Sequence, residues 1–164
     1  MVRVATYIWD RRARSSPSVA PHNKKMADSA IVNKALPPGV IIELEKVAEW
    51  LRSADANFQT TNDIKICNNA GGLAAVTSGL LEKFTVTEVK NGPVESRVTA
   101  IHFDCPTIVP VDAGWIVDLI PVHVVEEPVI LGEIPLSPNS YIHLSEKASV
   151  SGDFFGLLLL FRFD

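Results

Sequence analysis

The segment from Phe154 to Asp164 reads FFGLLLLFRFD, and it constrains the fold more than any other stretch of the chain. As a helix it is too short to cross a bilayer, which takes about 20 apolar residues. As a strand it is apolar on both sides. Phe155, Leu157, Leu159, Phe161 and Phe163 share one side. Phe154, Gly156, Leu158 and Leu160 share the other, which turns polar only at Arg162 and Asp164. Successive strand side chains point to opposite faces, so this strand must be covered on both. A facing sheet supplies one cover. A helix, an arm or a second subunit must supply the other.

The rest of the chain suggests where those covers lie. Residues 37–51, PPGVIIELEKVAEWL, place Ile41, Leu44, Ala48 and Leu51 at helical spacing behind two prolines and a glycine that mark the start. NNAGGLAAVTSGLLEKF is ambiguous. Leu73, Val76, Leu80 and Phe84 make a helical stripe, but three glycines weaken a helix there. From Phe84 onward the pattern is β, with FTVTEVK and VESRVTAIHF on either side of an NGP turn. GWIVDLIPVHVV is a long strand in which Pro121 implies an edge or a bulge, and SYIHLSE puts Ile142 and Leu144 inward with Tyr141 and His143 on the other face. ASVSGD reads as a turn before the terminal strand. Five to seven strands without βαβ alternation describe a mainly β protein. The expectation is an antiparallel β-sandwich or jelly roll over residues 37–164, with one or two helices.

Residues 1–36 read as a flexible arm, because RRARSSPSVAPHNKK is rich in Ser and Pro and lacks apolar periodicity. Residues 1–25 hold Arg3, Arg11, Arg12, Arg14, Lys24 and Lys25 against one acid, leaving nine basic and eighteen acidic residues in the remainder. A basic leader on an acidic body fits a nucleic-acid-binding arm, with Tyr7 and Trp9 available to stack on unpaired bases. Those six cations are the candidate nucleic-acid contacts. The same composition fits a mitochondrial presequence, and Met26 is a second plausible start. A hydrophobic content of 47% is high for a monomer and favours a subunit that buries surface against its own copies.

Catalytic signals are sparse. His102, His123 and His143 lie in expected strands, where three histidines on facing strands are able to hold a metal in a cupin-like site. No His-x-His pair accompanies them. The histidines therefore read as three unrelated surface or interface residues. Cys67 and Cys105 read as small hydrophobes rather than a disulfide or zinc pair. The paired glycines at 71–72 lack the Lys-Ser/Thr of a phosphate loop, and no Gly-x-Ser-x-Gly is present. No catalytic residue, metal or cofactor is expected.

VSGDFFGLLLLFRFD resembles the last strand of a single jelly-roll viral coat protein, where a small-residue turn precedes an aromatic and aliphatic run. VTAIHFDCPTIVPVDAGWIVDLIP is similar in rhythm to two strands around a Pro- and Thr-containing loop in tymovirus-like coats. The resemblance covers about 40 residues and implies the capsid of a small icosahedral RNA virus. Such a protein would be a structural, non-enzymatic subunit that partners with itself and with single-stranded RNA, not with membrane. It would be found in the virion and in host cytoplasm during assembly. The chain departs from that pattern in having fewer residues before its last strand than an eight-stranded coat has. Two other classes fit the residues: a cellular β-sandwich binding or assembly protein with a presequence, and a cupin-like metal enzyme.

Overall fold

A computed structural model describes residues 31–164 as a mainly β protein with an antiparallel sheet of nine strands and two helices. The strands are β1 (Ile31–Ala35), β2 (Phe58–Thr61), β3 (Ile64–Cys67), β4 (Glu95–Phe103), β5 (Thr107–Val109), β6 (Trp115–Ile130), β7 (Ile134–Pro135), β8 (Ser140–Leu144) and β9 (Ala148–Arg162). The main order is β1-β8-β6-β9-β4-β3-β2, with β5 added on β9 and β7 on β6. Every pairing is antiparallel.

The doubly apolar strand is β9, at the centre of the sheet between β6 and β4. Its two faces enter two separate cores. Leu157, Leu159 and Phe161 join the helices, with Val98 and Ala100 of β4 and Ile120 of β6. Phe154, Leu158 and Leu160 pack with Ile101, Phe103, Val117 and Leu119 on the opposite face. Both covers come from within the chain.

Helices α1 (Pro38–Leu51) and α2 (Ala70–Glu88) form the first cover. In α1, Val40, Leu44, Val47 and Leu51 are buried, a stripe at i, i+4, i+7 and i+11. Pro38 suits the first turn, where the missing N–H costs no internal hydrogen bond. The Asn69 side chain opens α2 by accepting the Gly72 N–H at 2.9 Å. Leu73, Leu80, Leu81 and Phe84 then face the sheet, and Thr77 turns its hydroxyl back to the Leu73 carbonyl. The two helices are tied by Glu43, which accepts from Lys83 of α2 at 2.7 Å and Lys46 of α1 at 3.2 Å.

The sheet itself makes the second cover. Strands β6 and β9 pair from Trp115–Arg162 to Ile130–Val150, with register shifts between Pro121 and Val129. Such bulges sharpen twist and bend a strand. Opposite them Gly152 sits at φ +125°, and a Cβ there would lie 3.0 Å from the Glu127 carbonyl. Beyond the bend, Val109, Ile130, Leu136, Ala148 and Val150 close the second core.

Several expectations change. Residues 31–35, assigned to the arm, form an edge strand paired with β8. FTVTEVK is not a strand: its first five residues, through Glu88, complete α2. The four apolar stripe residues at Leu73, Val76, Leu80 and Phe84 outweigh the glycine penalty once they have a sheet to pack on. ASVSGD is strand, not turn, because it pairs with β5 and with the far end of β6. Among the described residues, no helix is long and apolar enough to cross a membrane.

Candidate functional site

Near the end of α2 the helical cover stops short of the β1–β8–β6 side of the sheet. An open cleft of about 360 Å³ lies there, between the segment Glu88, Val89, Lys90 and Asn91 and side chains of four strands. Its size falls in the range typical of small-molecule sites. Ile116, Phe161, Phe163 and Val89 give it apolar walls, and Asp118, His143, Tyr141, Glu88 and Lys34 supply polar groups.

Asp118 and His143 are directly opposite residues of β6 and β8. Their side chains meet at 2.7 Å between Oδ1 and Nδ1. The Asp118 side chain is 6% exposed and that of His143 is 29% exposed, so the carboxylate is inside and the imidazole reaches the cleft. Burial pushes the Asp118 pKa up, and the hydrogen bond from His143 works against that shift. An ionised carboxylate only accepts hydrogen bonds. With Asp118 ionised, His143 is the donor of this bond through Nδ1–H, and the Nε2 lone pair is then free to accept a proton.

Tyr141, two residues before His143 on β8, donates its hydroxyl to Glu88 at 2.5 Å. Burial first, and the Glu88 carboxylate second, raise its pKa, so it stays a neutral phenol. Its ring meets Phe84 edge-on at 5.0 Å. This contact and the Glu88 bond together pin the end of α2 to the sheet and fix one wall of the cleft. Among the described residues, no buried side-chain nitrogen or oxygen lacks a hydrogen-bond partner.

The remaining sequence candidates are placed as follows. His102 and His123 flank Phe155 on opposite sides, each as its cross-strand neighbour. The His102 ring stacks on Phe155 at 4.5 Å and its Nε2 is 3.1 Å from Asp153, while His123 lies 6.1 Å from Phe155. His143 is elsewhere, in the cleft. Among the described residues, no group of three or more His, Cys, Asp or Glu side chains is arranged to hold a metal ion. Cys67 is buried, which raises its thiol pKa, and Cys105 is an exposed loop residue. Arg3, Arg11, Arg12, Arg14, Lys24 and Lys25 lie outside the described residues.

Asp118 is the residue that reading the sequence missed. Its signal was a lone carboxylate in the apolar run WIVDLIP. A buried acid in a strand requires a partner, and alternation in SYIHLSE already placed His143 on a face with Tyr141.

The fold and cleft define a class, a mainly β protein with one helix-covered face and an open pocket at the rim of that cover. Comparisons with known protein families and with curated proteins find no match to this chain.

Proposed function

We propose that the cleft binds a small organic molecule and that His143, oriented by Asp118, takes a proton from it. The carrying observation is the buried carboxylate held 2.7 Å from an imidazole that reaches an otherwise largely apolar cleft. A buried acid fixing one ring nitrogen leaves the other with a defined acceptor role, the arrangement general-base chemistry needs. The reading departs from a purely structural, non-enzymatic role. The shell-forming alternative drew on the basic arm, the 47% hydrophobic content and the resemblance of two stretches to coat proteins. Of the covers expected over β9, the helices supply one and no second subunit is required there, and the basic arm lies outside the described residues.

A fragment screen followed by amide NMR tests the proposal. Hits are expected to shift resonances at Val89, Ile116 and His143, and to be lost when Ile116→Trp fills the cleft. Hits scattered over the surface and indifferent to that plug would refute it.

A further inference from the structure

Resting on that reading of the cleft, we infer that its ligand is an organic anion: an apolar ring system bearing a carboxylate or comparable group. The inference comes from which charges around the cleft are already engaged. Both acids have internal hydrogen-bond partners, Tyr141 for Glu88 at 2.5 Å and His143 for Asp118 at 2.7 Å. Their capacity for an incoming cation is correspondingly reduced. The two lysines are different. Neither Lys34 nor Lys90 forms an ion pair among the described residues, as Lys46, Lys65 and Lys83 do, although Lys34 acts on Asp118 through space.

Position supports the same conclusion. Lys34 stands on edge strand β1 opposite Tyr141, with its ammonium 5.9 Å from the Tyr141 ring centre. Lys90 follows the end of α2 on another part of the cleft wall. Phe161, Phe163, Ile116 and Val89 line the space with them. An apolar body against those walls would place its anionic group within reach of mobile ammonium groups. The His143 Nε2 would then meet a hydroxyl or acidic C–H elsewhere on the same ligand. Lysine suits this use, since it is a flexible point charge that needs no fixed fork geometry.

Two matched probes, 2-naphthoate and the neutral 2-naphthamide, test the inference by NMR titration of the full chain. The naphthoate is expected to bind about five- to tenfold more tightly, the size that two exposed ion pairs provide. That preference should shrink in high salt and vanish in a Lys34→Met, Lys90→Met double variant whose melting temperature is unchanged. Equal affinity for both probes, each blocked by Ile116→Trp, would overturn the anion assignment while leaving the cleft as a binding site. Tighter binding of 2-naphthylmethylamine than of the naphthoate would overturn it too, by showing that Glu88 and Asp118 still dominate the field. No shift at His143 with any of the three probes would count against both the ligand class and the binding site.

Discussion

At Gly156 the chain has no room for a side chain. A Cβ there would lie 2.5 Å from Cε2 of Phe103 and 3.0 Å from Cδ1 of Leu119. Phe103 uses the space to stack on Phe154 at 4.7 Å across the β4–β9 pair. Gly156→Ala should therefore destabilise the protein by about 1–3 kcal/mol through overpacking, measured by urea denaturation. Asp118 supports a second prediction with an unusual sign. Burial, then Glu88, raise its pKa, and His143 and Lys34 lower it, with a net upward result. The folded state then holds this proton more tightly than the unfolded state. Its contribution to stability is fully present below the ordinary carboxylate range and is lost as pH rises through the folded pKa. Glu43 and Asp104, whose pKa values are lowered by their lysine partners, act in the opposite sense. The informative quantity is thus the stability of wild type minus that of Asp118→Asn. It should be larger at about pH 4 than at about pH 7, and a difference independent of pH would contradict the assignment.

Among the elements, the parity of β9 was legible because alternation is a property of the backbone, whatever the neighbours. Both faces enter the cores that alternation assigned, with Leu157 and Leu159 in one and Leu158 and Leu160 in the other. The existence and proline start of helix α1 were legible because they are local, but its stripe was legible only in part: Leu44 and Leu51 are buried as read, and Val40 and Val47 complete the face in place of Ile41 and Ala48. Helix α2 was not legible. Its glycines and its threonine-rich end are poor helix formers, and only the sheet beneath Leu73, Leu80 and Phe84 settles the matter. The bend in β6 and β9 was hidden as well, because bulges arise from pairing between distant residues. The candidate site shared that fate: Asp118 and His143 are 25 positions apart and meet only through register. The join between α2 and β8 rests on the Tyr141–Glu88 bond and the Phe84 contact. Tyr141→Phe should cost about 1 kcal/mol, because the partly exposed Glu88 regains water. It should also speed amide exchange at the end of α2 more than at its start.

On the scale of the whole molecule, the chain covers its own most apolar strand. Nothing in β9 then requires a second copy, and light scattering of the full chain should show a monomer of about 18 kDa. Shells or other large assemblies would support the capsid reading and move attention to the basic residues before Ile31. Deleting residues 1–25 separates the two readings. Binding to the cleft should be unchanged, since every residue lining it lies from Lys34 onward. Any RNA affinity, with its strong salt dependence, should go with the arm. The most direct test of the cleft itself is the imidazole ¹⁵N spectrum of His143 near neutral pH. A carboxylate at Asp118 that fixes the ring must give a protonated Nδ1 and an unprotonated Nε2, and Asp118→Leu must release that preference. A wild-type ring protonated mainly on Nε2, as in free histidine, would show that Asp118 does not orient it and would contradict the proton-accepting role.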